Sequence, residues 1–241
     1  MNHKHERTVV IMQPCYLPWM GYFEQIARGD MFVLLDTVQF EKQSWQCRNQ
    51  LKTTNNLPFW LTVPIAAHPL QTAICDILIA RDGGRWRMAH LKSITMALSR
   101  APFYEEIIPV FESLLSRDWE RLADMNVDGI RRIAHLLGLT PEWKKASELP
   151  VGGTKADLVL DICRHFGATC CYVSQGSRYL ELQVQEFYEA GVEIVFQTWP
   201  HPTYPQRGAG FVSHLSVVDA LMNAGPGEVR EFIQVRKDSV R

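Results

Sequence analysis

Asp36, Gln39, Lys42, Trp45, Arg48, Asn49 and Lys52 follow one another closely behind the apolar run Phe32–Leu35, in "DTVQFEKQSWQCRNQLKT". Together they could form an anion-binding wall. An arginine grips a phosphate with two parallel N–H donors, and a lysine adds point charge. The Trp45 indole could stack on a base or a sugar face. The same spacing also suits a solvated, alternating edge strand. A second cluster lies in a proline- and glycine-rich stretch: His201, Tyr204, Gln206, His214, Ser216 and Asp219. His201 and His214 are its neutral-pH base candidates, and a histidine packed between prolines is the bland use of the same residues. Ser216 and Asp219 also fit a helix N-cap with its box partner.

A third group sits in "MQPCYLPWMGYF", where an apolar strand enters a turn with two prolines and then a helix. Gln13 stands at the strand end, and Tyr16, Trp19 and Tyr22 form a hydrophobic lock on the corner. Gly21 permits a close approach there. Gln13, Tyr16, Trp19, Asp36 and Gln39 are expected to line one cleft. After a later strand, Ser174, Ser177 and Arg178 in "YVSQGSRYLE" could face a ligand, or could cap and brace a helix.

The chain has 241 residues, 46% hydrophobic and 21% charged, with a net charge of −1. That composition supports a sizeable core and argues against non-specific nucleic-acid binding, which needs a basic surface. Six cysteines without framework spacing, and the charged start "MNHKHERT", predict reduced thiols in a cytoplasmic protein. No apolar run approaches the ~20 residues of a membrane span, so no membrane insertion is expected. His3 and His5 read as part of a mobile stub. Cys163 and His165 diverge on a predicted helix, and Cys170-Cys171 reads as buried strand. No metal site is expected, and the residues point to no particular cofactor.

Apolar runs predict strands at Thr8–Met12, Met31–Asp36, Phe59–Pro64, Ala73–Ala80, Ala168–Val173 and Glu193–Gln197. Amphipathic patterns predict helices at Trp19–Ala27, Arg85–Leu98, Tyr104–Leu115, Trp119–Leu137, Leu158–Phe166 and Val217–Asn223, with Pro226 opening a last one. Thr154, with Asp157 three residues on, is expected to cap the fifth. This alternation predicts a single α/β domain: a mostly parallel sheet flanked by helices, with a helical insertion over about 85–137. Ligands of such sheets bind beyond the carboxyl ends of the strands.

The chain resembles the WbqC-like protein family. The first block is Gln13, Pro14, Tyr16, Leu17, Pro18, Trp19, Gly21 and Tyr22. Next come Asp36, Val38, Gln39 and Phe40, then Trp45, Gln46, Arg48, Asn49, Gln50 and Lys52, and Leu61 to Pro64. Tyr179-Leu180, Tyr204, Gln206, Leu215-Ser216, Asp219 and Gly225 continue the match, which spans about residues 8 to 228. The family commonly has an asparagine before the arginine, where this chain has Cys47. The resemblance implies a surface-polysaccharide (O-antigen) pathway in bacteria, and a nucleotide-linked amino sugar as the substrate, with a separate group donor. On that footing the expected activity is a transferase adding an acyl or aminoacyl group to the sugar amine. Asp36, His201 or His214 would be the base; Asn49, Gln39 and Arg48 would supply oxyanion donors. Gln13, Tyr16, Trp19, Trp45, Lys52, Tyr204 and Gln206 join Gln39, Arg48 and Asn49 as expected substrate contacts. A weaker analogy links the strand, turn and helix to nucleotidyltransferase-like folds, whose phosphate-holding histidines are absent from Trp19-Met20-Gly21-Tyr22. It keeps open an ATP-dependent ligase or nucleotidyltransferase, and a non-catalytic sugar-nucleotide-binding protein is the third alternative.

Overall fold

In the computed structural model, which describes residues 7–234, five short strands form one parallel sheet of order β5-β2-β1-β6-β7. They are β1 (Thr8–Met12), β2 (Met31–Leu34), β5 (Glu142–Lys145), β6 (Cys170–Val173) and β7 (Glu193–Phe196). His3 and His5 lie outside the described residues. An antiparallel hairpin, β3 (Arg48–Lys52) with β4 (Pro58–Thr62), follows β2. The helices are α1 (Met20–Arg28), α2 (Arg85–Leu98), α3 (Tyr104–Ser116), α4 (Leu122–Leu136), α5 (Ala156–His165), α6 (Val184–Glu189) and α7 (Val217–Ile233). Among the described residues no helix is long and apolar enough to cross a membrane. The architecture is α/β, with the sheet flanked by helices on both faces.

Alternation along the central strands sorts the core. Val10, Phe32 and Leu34 join a cluster that includes α1, α4 and α7, whereas Val9, Ile11, Met31 and Val33 face α5 and α6. The α2–α4 block shares the first cluster through Ile94, Ile107, Phe111 and Ile130. From β1 the chain moves to β2 on one side, and from β6 to β7 on the other. The strand ends of β1 and β6 therefore flank the topological switch point.

Two expectations fail locally, and one strand has no counterpart among the predicted ones. Ala73–Ala80 is not a strand: Ile74–Asp76 is a 3-10 turn, and isolated bridges tie Ala73 to Gln39 and Ile79 to Ile65. β5 carries no apolar run, because it pairs through its backbone at the sheet edge and only Trp143 reaches an aromatic partner, Phe32. Thr154 does not cap α5; Lys155 is the N-cap, without a side-chain bond. By contrast, Ser216 caps α7 by accepting the Val218 N–H, and Gly225 (φ 84) breaks that helix immediately before Pro226.

The Gln13–Pro18 turn has few hydrogen bonds of its own, since Pro14 and Pro18 lack N–H groups. Its carbonyls are taken up from outside instead. Tyr22 Oη donates to Gln13 O, and Asn126 Nδ2 donates to Pro14 O and to Gln46 O. Asn49 Nδ2 bonds Tyr16 O and Leu17 O at 3.2 and 2.8 Å, Ser216 Oγ donates to Leu17 O at 2.7 Å, and the Val217 N–H reaches Pro18 O. Leu17 holds a left-handed φ of 41 under these bonds. Gly21 is required for a separate reason. A Cβ there would lie 2.1 Å from the Trp19 indole, which folds back over α1.

Replacing Asn49 with Leu strands the buried Tyr16 carbonyl and leaves Leu17 O with Ser216 as its one remaining donor among the described residues. It is expected to lower the free energy of unfolding by about 1–3 kcal/mol, read from urea denaturation. A variant as stable as the parent would show that the Asn49 bonds do not hold the turn.

Candidate functional site

Register on the hairpin decides which polar side chains reach solvent. Asn49, Leu51 and Leu61 point inward and are buried, whereas Arg48, Gln50 and Trp60 lie on the other face, with Arg48 opposite Thr62 and Gln50 opposite Trp60. The Arg48 guanidinium stacks 4.1 Å from the Trp60 ring centroid, and the Trp60 ring lies 5.4 Å from that of Trp45. Both indoles are exposed, at 42% and 49%. Arg48 makes no ion pair among the described residues, and its buried Nε has no hydrogen-bond partner. A cleft of about 390 Å³ begins beside it, lined by Lys42, Gln43, Cys47, Thr62 and His68 among others. This face abuts the carboxyl end of β1. Gln46 Nε2 donates to Gln13 Oε1 at 2.8 Å, and the Tyr16 N–H bonds Trp45 O. A cation with aromatic faces and no counter-charge is equipped to take an anionic, planar ligand.

Sequence reasoning passed over Trp60. Its signal was present in "PFWLTVP", where three residues from Phe59 are bulky, but only pairing with Gln50 turns the indole outward.

The other expected contacts divide between several places. Asp36 is buried, and its carboxylate accepts both the Ser147 N–H (2.9 Å) and the Ser147 hydroxyl (2.7 Å), which ties β2 to the segment after β5. Asn49 is consumed by the turn. Gln39 is exposed and donates to Leu70 O. Gln13, Tyr16, Trp19, Asp36 and Gln39 line neither this cleft nor the larger one described below.

Lys52, on the outer face of β3, is nonetheless covered by the 205–212 loop. Its Nζ donates to Asn56 Oδ1 and Gly210 O, and burial lowers its pKa against the opposing pull of Asp219. Tyr204 donates to Asp219 Oδ1 at 3.0 Å, and Gln206 closes the loop on Val212 through both amide atoms. Burial pushes the Asp219 carboxyl up to about 6, despite the Tyr204 hydrogen bond and Lys52. Lys52, Tyr204, Gln206 and Asp219 therefore come together as a closed polar network rather than an open wall.

Trp19 meets His214 at 4.9 Å, Trp199 at 5.9 Å and His201 at 6.0 Å, the last stacked. His201 has both ring nitrogens in use. Nδ1 lies 2.8 Å from Pro202 O and so carries the proton, and Nε2 accepts the His214 N–H at 3.2 Å. Burial lowers its pKa. The His214 ring makes aromatic contacts and has no hydrogen bond among the described residues, and the residue is exposed at a φ of 60. The segment adjoins β3, since the Ser216 N–H bonds Gln50 O.

Residues 13–231 match the WbqC-like protein family. The chain belongs to that family. An uncharacterized protein of Mycobacterium tuberculosis (strain ATCC 25618 / H37Rv), Rv1507c, is 28% identical to it over 225 residues, which cover 91% of this chain and 94% of the relative. No solved structure matches. The matched region contains the β1–α1 turn, the hairpin and the 204–219 segment alike.

One buried group props the hairpin from behind. Tyr16 Oη lies 2.8 Å from His90 Nδ1, and His90 also bonds the Thr62 backbone. Burial pushes its pKa down to about 4. The unfolded chain takes up this proton near pH 6.5 and the folded chain only near 4, so the contribution is complete above 6.5 and is lost as pH falls between those values. Asp219 acts in the opposite sense, because its raised pKa costs stability as pH rises from 3.8 to about 6. The test is therefore a difference. Relative to His90→Gln, the wild type is expected to lose up to roughly 3 kcal/mol on going from pH 6.5 to 4, measured by chemical denaturation at each pH. Parallel profiles would mean that His90 does not titrate in this window.

Proposed function

We propose that this protein is an enzyme that modifies a nucleotide-linked amino sugar, by transferring an acyl or aminoacyl group to the sugar amine. The family's link to polysaccharide and sugar biosynthesis supports a sugar as the kind of substrate. The observation that carries the reading is Arg48, an uncompensated guanidinium held against Trp60, with Trp45 beside it. In this reading the diphosphate takes the open edge of Arg48, and a base or sugar ring lies on the two indoles. The adjoining cleft beside Thr62 and His68 receives the rest of the substrate.

Acyl transfer from a thioester donor needs a base to take the proton from the amine as nitrogen attacks the acyl carbon; the C–S bond then breaks, and the departing thiolate takes up that proton. Of the three candidates, Asp36 is engaged by Ser147 and His201 by two backbone groups, whereas the His214 ring has no hydrogen-bond partner among the described residues. We assign the role to His214. The ATP-dependent alternative would set phosphates at the N-terminus of α5, into which Gly152, Gly153 and Thr154 lead after the strand end of β5. Release of AMP or pyrophosphate during turnover would select that alternative.

Titrating UDP-linked amino sugars against the protein by calorimetry tests the first reading. Binding is expected, and Arg48→Lys, which retains charge but loses the planar fork, should weaken it by about 1–3 kcal/mol. Thermal stability should hold nearly constant, since an exposed cation–π contact contributes only ~0.5–1 kcal/mol. With an acyl-CoA present, mass spectrometry should find the added group on the sugar nitrogen. Equal affinity in the variant would remove Arg48 from the site, and no binding of any nucleotide sugar would remove the reading itself.

A further inference from the structure

A second cleft, about 800 Å³, lies elsewhere, between the start of α2, the Leu78–Ala80 segment and the loop before α4. It sits at the upper end of the ~300–1,000 Å³ typical of small-molecule sites. It touches the smaller cleft only at Ala66. Trp86 and Trp119 provide its aromatic wall, and the Arg117 guanidinium backs Trp119 at 4.1 Å. Around them stand Arg81, Arg87, Asp118 and Glu120.

Part of the charge in this cleft is already engaged, whereas Arg81 and Glu120 make no ion pair among the described residues and face the cleft open to a ligand. Asp82 occupies the N-terminus of α2, where an external anion would otherwise bind: Oδ1 accepts the Gly84 N–H and Oδ2 the Trp86 N–H, both at 2.9 Å. Arg87 is paired to Asp118 at 2.7 Å, and Arg81 further lowers the Asp118 pKa. A phosphate would therefore meet three carboxylates. A cation would meet two guanidinium groups, and an apolar ligand would strip water from all of them without replacement. A neutral polyhydroxylated ring satisfies every wall. Its hydroxyls donate to carboxylates and accept from guanidinium groups, and its C–H face lies against an indole.

We infer that this cleft is a binding site for a neutral oligosaccharide, separate from the Arg48 face. It does not rest on the reading of Arg48, and the two can fail independently. The test uses chitobiose and maltose as probes against the full-length protein, followed by the indole N–H resonances of Trp86 and Trp119. Saturable shifts of those two resonances are expected with at least one sugar. Glu120→Gln and Arg81→Ala, both at exposed positions, should each weaken binding about tenfold, a loss of ~1.4 kcal/mol, whereas Arg48→Ala should leave it unchanged. Unmoved indole resonances, undiminished binding in both cleft variants, or displacement of the sugar by inorganic phosphate would each overturn the proposal.

Discussion

Two prolines in six residues leave the Gln13–Pro18 turn with carbonyls that its own backbone cannot satisfy. Buried, such groups cost about 1–3 kcal/mol each unless a donor reaches them. Here the donors come from α1, β3, α4 and the start of α7, through Tyr22, Asn49, Asn126, Ser216 and Val217. Three elements distant in sequence, together with the adjoining α1, are thereby pinned to the end of one central strand. The hairpin is part of that arrangement. Asn49 reaches the turn because it points inward from β3, and the same alternation turns its neighbour Arg48 outward.

This requirement divides the polar residues into two kinds. Asp36, Asn49, Lys52, His90 and Asn126 are buried, and their hydrogen bonds close gaps between elements. Their chemistry is spent on the fold, and the downward shift of His90 reflects a site built for the neutral ring. Arg48 differs in kind, because its charge has no partner while its plane is held in place by Trp60. Holding a cation unpaired is costly to ignore and simple to relieve, so an anion is the natural complement.

The larger cleft obeys the opposite rule. Asp82 and Asp118 neutralise the helix terminus and the guanidinium that face it. The two surfaces share Ala66 yet differ in charge: Arg48 has no ion pair among the described residues, whereas the larger cleft sets guanidinium and carboxylate groups side by side.

The sequence by itself determined the α/β class, because β1, β2, β6 and β7 are continuous apolar runs and the helices between them keep a 3.6-residue period. It also marked the turn, the hairpin arginine and the 204–219 segment as places where polar and aromatic residues concentrate. It did not reveal β5, whose "EWKK" has no apolar run and is a strand only because β2 offers an edge. Nor did it separate Asn49 from Arg48, or Lys52 from Lys42: they read as one basic wall, yet register turns Asn49 inward and the 205–212 loop covers Lys52 on the outer face. Tertiary structure alone decided those cases. Register sets which face each side chain takes, and a one-residue slip would exchange them all. The partners of the turn's carbonyls lie up to 199 residues away along the chain. A backbone carbonyl leaves no mark of its own in the amino-acid string, so which asparagine or serine must satisfy it is settled only when the chain closes around it.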